Sequence, residues 1–482
     1  MVITLKTYQM FLNGTFCKRG TLRDIVQPYN NKPFAKVYFG DEGIISEAVD
    51  GAEKAFQEMK SLPAHRISDI LRKVSEKLKE RLEKFTKILA LEAGKPIKTA
   101  QGEVGRAVHT LLLGAEECLR IAGEVIPMDQ KPYGEGRYGM VKRFPLGVIG
   151  AITPFNFPLN LVAHKLAPAF AAKNTVVLKP ASQTPISSLL LAELFIEAGL
   201  PEGALQVIPA KGSAGEVLAR DPRIKMLTFT GSPTVGWHLK ELAFRKKVAL
   251  ELGGNAGVIV HEDADINTAV NSIANAAFLY SGQSCISVQR VFIHQPIYRQ
   301  VVDGLVKKAE SYKLGDPIDK STDIGSMISE DEARRVESWV KEAVEDGARI
   351  LTGGKREGSV YYPTIIENTK AEMKVNYLEV FAPVITVTPY VDFKEAVKAV
   401  DNSKYGLQAG IFTKDINRIR YAFENIEVGG VIIGDVPTYR IDHMPYGGVK
   451  ESGNAREGVR YAIEEMTESR LMVVKFRENN ED

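Results

Sequence analysis

Short apolar runs rich in β-branched residues alternate with segments of helical periodicity over most of this chain. No other feature constrains the fold as strongly. The runs TVVLK (175–179), KMLTFT (225–230) and AGVIV (256–260) have the length of strands rather than of buried helices. Strands that are buried on both faces belong to parallel sheets with helices on each side. The sequence therefore predicts an α/β protein built from βαβ units.

Two series of such units follow one another. The first runs from LGVIGAIT (146–153) to KVALEL (247–252), and the second begins at AGVIV (256–260). The segment RYGMVKRF (137–144) alternates weakly, and we expect it to pair with LMVVKF (471–476) in a small antiparallel module whose edge could pair with another chain.

Helical periodicity is clearest before the first series. Apolar residues from Ile67 to Leu89 recur at spacings of one, three and four, which predicts one long amphipathic helix. A second helix is predicted over 97–123. The last six residues, 477–482, have the composition of a solvated tail.

Charge and cysteine content exclude several classes of protein. The chain carries 62 Lys and Arg against 60 Asp and Glu, so no basic excess indicates a nucleic-acid partner. Three cysteines in 482 residues do not make a disulfide framework, and at least one is unpaired within the chain. The amino terminus lacks the apolar core of a secretory signal, and no stretch approaches 18 apolar residues. We expect a cytoplasmic enzyme without membrane spans.

Two loops have the features of a nucleotide site. Gly231-Ser232-Pro233 follows a predicted strand, and a helix starting there would point backbone N–H groups at a phosphate. Lys179 ends another strand, where open α/β sheets bind ligands, and Ser182 follows it. On local sequence alone, an ordinary capped turn and a solvated lysine remain open alternatives.

Three further residues have the features of catalytic groups. Small polar residues lead into Cys285, which would leave its thiol accessible, whereas Cys17 and Cys118 have the setting of inert thiols. Glu251 lies between leucines, so we expect desolvation to raise its pKa toward that of a general base. Asn156, between prolines, could donate to an oxyanion or close an Asx-turn.

The order of these residues resembles that of the aldehyde dehydrogenase superfamily of NAD(P)-dependent enzymes, over nearly the whole chain. The motifs that carry the resemblance are TPFNFP (153–158), KPASQTP (179–185), FTGS (229–232), LELGG (250–254), GQSC (282–285), EVFAP (379–383) and PYGGVKESG (445–453).

The resemblance implies a role for each matching position. Cys285 would be the nucleophile, Glu251 the general base, and Asn156 with the Cys285 backbone N–H the oxyanion hole. Cofactor contacts would come from Thr153, Pro154, Phe155, Lys179, Ser182, Gly231, Ser232, Leu252, Glu379 and Phe381. No metal ion is expected.

It also implies three structural units. A Rossmann-like cofactor-binding domain would comprise 1–122 and 146–253, and an α/β catalytic domain 254–446. An antiparallel oligomerisation module would comprise 123–145 and 447–482, which leads us to expect a homodimer or homotetramer.

Departures from the family pattern bear on the cofactor. Many NAD-preferring members carry Glu where this chain has Ser182, and that carboxylate would repel a 2′-phosphate. Because Ser182 removes the repulsion and offers a hydroxyl donor, and Lys179 supplies positive charge, we expect NADP, with NAD as a second cofactor.

Within the superfamily, the chain can be compared with three groups of enzymes that differ in their substrates. Arg440 in YRIDHMP resembles the lactaldehyde dehydrogenases, and EVGR, ending at Arg106, resembles the non-phosphorylating glyceraldehyde-3-phosphate dehydrogenases. Leu279 stands where succinic semialdehyde dehydrogenases place a carboxylate-binding arginine, which weakens that assignment. Ser284 replaces an arginine that the non-phosphorylating glyceraldehyde-3-phosphate dehydrogenases carry just before the nucleophile. We expect oxidation of a small polar aldehyde of the lactaldehyde or glyceraldehyde type, phosphorylated or not. The two other enzyme groups are alternatives, and a CoA-acylating or non-catalytic relative is less favoured.

Overall fold

The computed structural model describes residues 5–476. The predicted solvated tail, 477–482, lies outside the described residues. The alternation of strands and helices predicted from the sequence is confirmed: the structure is α/β, with two large, mainly parallel sheets and a small antiparallel one.

The first sheet contains the earlier βαβ series. Its strand order is Lys247–Glu251, Ile224–Thr230, Val148–Ile152, Thr175–Lys179, Leu205–Val207, Met10–Leu12 and Thr15–Cys17, and the first five are parallel. Val176 and Leu178 point into one hydrophobic core and Val177 into another, so helices cover both faces. These helices are Glu42–Met59, Ala64–Glu80, Leu82–Ala93, Ile97–Glu117, Asn160–Ala171, Ile186–Ala198, Ala214–Arg220 and Pro233–Leu242. The strands Lys6–Tyr8, Thr21–Gln27 and Lys32–Phe39 form a separate three-stranded sheet.

The second sheet contains the later series. Its order is Arg349–Thr352, Thr364–Glu367, Val384–Tyr390, Val288–His294, Ala256–Val260, Gln408–Phe412 and Gly430–Ile433, and all pairs but the first are parallel. Its helices are Ile266–Phe278, Tyr298–Ser311, Glu330–Glu345, Lys374–Tyr377, Phe393–Asp401 and Ile416–Asn425. Two short pairs lie beside it, Arg356–Glu357 with Val360–Tyr361 and Tyr405–Gly406 with Val449–Lys450. Short 3-10 turns are Pro132–Gly134, Leu279–Gly282 and Gln295–Ile297.

The third sheet confirms the pairing predicted between the two distant segments. Arg137–Pro145 runs antiparallel to Thr467–Lys475 and to Glu124–Pro127, with Val141 opposite Leu471. The helix Val459–Glu465 lies within the interval assigned to the oligomerisation module, yet Val459 packs in the first sheet's core. The domain boundaries themselves stay a prediction.

Two helix predictions were wrong in extent. The helix expected over 67–89 is interrupted at Arg81, whose backbone is not helical (φ −101°, ψ 19°). The apolar spacing could not reveal this break because Leu78 and Phe85, on either side, are both fully buried. The helix expected over 97–123 ends at Glu117, where Leu119 is 56% exposed and has no core to pack against.

Strand order determines where a ligand can bind. After the strand Val148–Ile152, the next two strands of the chain, Thr175–Lys179 and Leu205–Val207, are added on one side of it. The following strand, Ile224–Thr230, then pairs with Val148–Ile152 on its other side. The carboxyl ends of these two strands flank a topological switch point, the usual ligand crevice of open α/β sheets. Four residues, 252–255, then connect this edge to the first strand of the second sheet.

A buried ion pair, Lys95 with Glu103, connects the loops around this crevice. Both side chains are fully buried. The Glu103 carboxylate also accepts hydrogen bonds from the backbone N–H groups of Leu159 (2.9 Å) and Asn160 (3.1 Å). The Lys95 ammonium lies 3.9 Å from the ring centre of Phe157. Within residues 5–476, no helix is long and apolar enough to cross a membrane.

Glu103→Gln should strongly destabilise the fold. The amide keeps the size and an acceptor but leaves the buried Lys95 charge without its partner, which costs about 3–5 kcal/mol. Glu197→Gln, which breaks the exposed pair with Arg81, is the matched control and should cost less than about 1 kcal/mol. Urea unfolding monitored by circular dichroism compares them, and equal midpoints would show that the buried pair contributes no more than an exposed one.

Candidate active site

A cavity of about 650 Å³ lies where the carboxyl edge of the first sheet meets the second sheet. It is lined by most of the residues predicted from the sequence, namely Cys285, Glu251, Asn156, Pro154, Phe155, Gly231, Ser232, Leu252, Glu379, Phe381, Arg106 and Arg440. Thr153, Lys179 and Ser182 do not line it. One cavity therefore brings together the three predicted catalytic residues and both predicted substrate arginines.

A strained turn holds the thiol in place. Tyr280, Ser281 and Gly282 have consecutive positive φ angles of 55°, 53° and 64°. Only glycine fits at 282, because a Cβ there would lie 2.2 Å from the Ala382 carbonyl oxygen. Non-glycine residues in this region cost about 1–3 kcal/mol each, so they persist only where surrounding contacts impose them. The turn fixes Cys285 instead of leaving it on a mobile loop.

The Cys285 sulfur lies 2.9 Å from the hydroxyl of Tyr446. Burial raises the pKa of the Cys285 thiol to about 11, and the hydrogen bond to Tyr446 opposes this rise. Sequence reasoning missed Tyr446, because PYGGVKESG served only as a family motif. The available signal was a hydroxyl-bearing aromatic residue directly before Gly447 and Gly448.

The amide of Asn156 is fixed by two hydrogen bonds. Its Nδ2 donates to the Gln283 carbonyl (3.0 Å), and its Oδ1 accepts from the Phe157 N–H (3.1 Å). Since an amide nitrogen carries two hydrogens, one remains available to a ligand in the cavity. Asn156 thus connects the loop after Val148–Ile152 to the turn that carries Cys285.

Glu251 is buried at the end of its strand, as the sequence predicts. Neither carboxylate oxygen has a hydrogen-bond partner within the described chain. Burial, assisted by the negative charge of Glu457, raises the pKa of Glu251 well above its usual range. A buried carboxylate with a raised pKa has the properties of a general base near neutral pH.

Both predicted substrate arginines are paired with carboxylates at the cavity wall. Arg106 donates to Asp442 (2.6 Å), which also contacts His164 (2.9 Å). Arg440 donates to Glu457 (2.7 Å). These pairs hold the pKa values of Asp442 and Glu457 below their usual range, despite burial. The sequence could not reveal the carboxylate partners, because they depend on how the 435–457 segment folds.

The predicted nucleotide loops lie at the carboxyl edge of the first sheet. Ser232 precedes the helix Pro233–Leu242, and its hydroxyl makes no capping hydrogen bond. The Lys179 ammonium is buried and, among the described residues, hydrogen-bonds only the Pro180 carbonyl, at 3.4 Å; burial lowers its pKa to about 8. The Ser182 hydroxyl, predicted as a donor to a 2′-phosphate, donates instead to the Ala210 carbonyl (3.0 Å).

The remaining predicted cofactor residues line the cavity, except Thr153. Glu379 accepts a hydrogen bond from the Gly254 N–H (2.9 Å), and burial raises its pKa to about 7. The rings of Phe155 and Phe381 pack edge to face at 5.9 Å. The backbone N–H of Thr153 donates to the Lys179 carbonyl (3.3 Å). Leu252 is buried in the second core of the first sheet.

His261, Glu262 and His294, far along the second sheet, form the single group of three potential metal ligands between residues 5 and 476. The two imidazole rings stack 4.2 Å apart at 14°. Ring nitrogens bind metals in the plane of the ring, so nearly parallel stacked rings direct their lone pairs side by side rather than toward one ion. The absence of a metal from the reaction stays a prediction.

A model of the aldehyde dehydrogenase family matches residues 17–472. The chain belongs to the aldehyde dehydrogenase family. It is 47% identical over 473 residues to 3-sulfolactaldehyde dehydrogenase of Priestia megaterium, covering 98% of this chain and 99% of that protein. It is 40% identical over 475 residues to lactaldehyde dehydrogenase of Methanococcus aeolicus, covering 97% and 100%.

Two solved structures match this aldehyde dehydrogenase over 95–98% of its length. Aldehyde dehydrogenase 21 from Physcomitrella patens, in complex with the reaction product succinate, is 44% identical with a TM-score of 0.96, covering 98% and 99% of the two chains. Glyceraldehyde-3-phosphate dehydrogenase GapN from Methanocaldococcus jannaschii, complexed with NADP, is 39% identical with a TM-score of 0.92, covering 95% and 100%. The resemblance stated from the motifs is confirmed, and the chain is an NAD(P)-dependent aldehyde dehydrogenase.

The pKa of Cys285 predicts how the thiol of the cofactor-free enzyme reacts. Only the thiolate is alkylated, so with a pKa of about 11 the rate should rise about tenfold per pH unit between pH 7 and 9. Iodoacetamide labelling followed by mass spectrometry measures this in a Cys17→Ser background, which removes the other accessible thiol. A rate that levels off near pH 8.5, as for an ordinary cysteine, would contradict the effect of burial.

Proposed function

We propose that this aldehyde dehydrogenase oxidises a short 2-hydroxyaldehyde of the lactaldehyde type to its carboxylic acid, with NADP as the preferred cofactor. One observation carries the proposal: the thiol of Cys285, the free amide hydrogen of Asn156 and the unpaired carboxylate of Glu251 line the same cavity. A nucleophile, an oxyanion donor and a base so arranged suit acyl chemistry at a carbonyl carbon.

The first chemical step is addition to the aldehyde. The Cys285 thiolate forms a carbon–sulfur bond, and the carbonyl electron pair moves to oxygen. Asn156 Nδ2 and the Cys285 backbone N–H donate to that oxygen, and such donors typically contribute about 2.7–4 kcal/mol to the transition state. Because strand ends and the strained turn fix both groups, they need little reorganisation during the reaction.

The second step releases the acid. When bound, the nicotinamide supplies the hydride acceptor that converts the adduct to a thioester on Cys285. Glu251 then takes a proton from water, whose oxygen attacks the thioester carbon, and the sulfur leaves as thiolate. This base gives hydrolysis rather than transfer to CoA, so the CoA-acylating alternative is not favoured.

The residues at the sheet edge fit an NADP cofactor. Lys179 is a buried ammonium without a carboxylate partner, a costly arrangement that a ribose or phosphate oxygen would relieve. Ser232 stands at a helix amino terminus, suited to a pyrophosphate. Glu379 would accept from the nicotinamide ribose. No carboxylate stands at 182 to repel a 2′-phosphate, and the related GapN was solved with NADP.

The cavity wall favours a small hydroxyaldehyde. Leu279 and Ser284 line the cavity at positions where the alternative enzyme groups carry arginines. The two arginines that do line it, Arg106 and Arg440, already have carboxylate partners, so they offer hydrogen bonds more than an uncompensated charge. The relatives named for 3-sulfolactaldehyde and lactaldehyde act on aldehydes that share the three-carbon 2-hydroxyaldehyde chain, which succinic semialdehyde lacks.

An aldehyde panel tests the substrate proposal. We expect kcat/KM for lactaldehyde, glyceraldehyde or 3-sulfolactaldehyde to exceed that for succinic semialdehyde and glyceraldehyde 3-phosphate at least about tenfold, equivalent to 1.4 kcal/mol. Added CoA should change neither rate nor product.

Cys285→Ala is the control for that panel. It should abolish oxidation while NADP binding persists. A preference for succinic semialdehyde would overturn the substrate alone, and turnover by Cys285→Ala would overturn the mechanism.

Ser182→Glu tests the cofactor proposal. A carboxylate beside a 2′-phosphate repels it, so kcat/KM for NADP should fall at least about tenfold. The value for NAD should hold or improve, because Glu can accept from the free ribose hydroxyls. Ser182→Ala, which removes the hydroxyl without adding charge, should leave the ratio nearly unchanged. An unchanged NADP-to-NAD ratio in Ser182→Glu would place position 182 away from the 2′ group.

Two further proposals concern the oligomeric assembly of the protein and its cellular compartment. Leu471, Met472 and Val473 on the strand Thr467–Lys475 are 45–55% exposed, and we propose that this strand pairs with a second copy in a dimer or tetramer. All three cysteines are free thiols, which supports a reducing compartment such as the cytoplasm.

A further inference from the structure

The Tyr446 hydroxyl lies 2.9 Å from the Cys285 sulfur in a buried setting. The Tyr446 side chain is 3% exposed. Its backbone forms two hydrogen bonds with that of Glu457: the Tyr446 N–H donates to the Glu457 carbonyl (3.0 Å), and the Tyr446 carbonyl accepts from the Glu457 N–H (2.6 Å). These backbone hydrogen bonds, together with the burial of the side chain, favour the position of the hydroxyl beside the sulfur.

The direction of the hydrogen bond follows from the protonation states. A neutral thiol and a phenol can each donate, whereas a thiolate has no proton, so the Tyr446 O–H must donate to it. Burial raises the pKa of Tyr446 well above its usual range, with the charge of Cys285 acting in the same direction. The phenol thus stays protonated as a donor, and a bond to a charged sulfur is about twice as strong as a neutral one.

A cation lies on the face of the same ring. The Arg440 guanidinium is 3.8 Å from the ring centre of Tyr446, and its ion pair with Glu457 keeps it there. Positive charge at an aromatic face withdraws electron density from the hydroxyl and makes it a better donor. The Tyr446 ring therefore contacts the buried Arg440 cation through its face and the Cys285 sulfur through its hydroxyl.

We propose that Tyr446 is a further catalytic residue of the reaction proposed above, one that prepares the nucleophile by donating a hydrogen bond to the Cys285 thiolate. Tyr446 and Arg440 are the groups facing the sulfur that favour the thiolate, while the carboxylates of Glu379 and Glu251 disfavour it. Without the hydroxyl, burial and the two carboxylates would leave less thiolate at working pH.

The expected size of the effect follows from two opposing terms. Losing a hydrogen bond to a charged group should raise the thiol pKa by about one to two units. Each unit cuts the thiolate fraction tenfold, while the remaining thiolate becomes about threefold more nucleophilic. The net result for Tyr446→Phe is a rate of alkylation about three- to tenfold lower at fixed pH.

Iodoacetamide alkylation of Cys285 tests this in the full chain with Cys17→Ser, without aldehyde or cofactor. Plots of log rate against pH from 7 to 9 should stay parallel, with Tyr446→Phe three- to tenfold below the parent. Tyr361→Phe removes another buried hydroxyl, which has no partner in the described chain, and should lie on the parent line. A Tyr446→Phe line within twofold of the parent overturns the proposal.

Replacing Tyr446 by 3-fluorotyrosine provides a test of opposite sign. Fluorine makes the phenol more acidic and a stronger donor, so alkylation should become faster than in the parent, and a slower rate overturns the proposal. Because alkylation needs no substrate, this result stands even if no aldehyde in the panel is oxidised. Conversely, normal aldehyde oxidation with an unchanged alkylation line overturns the role of Tyr446 alone.

Discussion

The buried pair of Lys95 and Glu103 is the interaction on which the site depends most. Lys95 lies in the loop before the helix Ile97–Glu117, and Glu103 lies on that helix. Their contacts reach the backbone N–H groups of Leu159 and Asn160 and the ring of Tyr280, in the turn before Cys285. A charge that must stay paired in a low-dielectric interior tolerates little displacement, so it holds both loops at a fixed separation.

Around that ion pair, burial disfavours the charged forms of the reactive groups. Burial raises the pKa values of Cys285, Glu251 and Glu379, while Arg440 is compensated by Glu457. A cavity that disfavours charge suits a reaction in which charge develops only after substrate is bound. The few donors aimed at the cavity, such as Asn156, then act with little competition from water.

Reaction type and specificity have different structural origins. The groups proposed for the chemistry come from strand ends and the loops next to them. The wall that would meet the substrate comes from Arg106 on a helix, Leu279 in the turn and the 435–446 segment. These three elements are distant in sequence, so small changes in any one can change the substrate without disturbing the chemistry.

The sequence alone determined the alternation of strands and helices, the pairing of 137–144 with the chain's last strand, and the motifs that identify the family, because each is written in local periodicity or in contiguous residues. It could not show that the predicted helix over 67–89 breaks at Arg81, since the apolar spacing continues across the break. Nor could it show that Arg106 and Arg440 are already paired, or that Tyr446 touches the nucleophile. Those contacts join residues 17 to 336 positions apart, and only the meeting of two sheet edges in three dimensions brings them within hydrogen-bond distance.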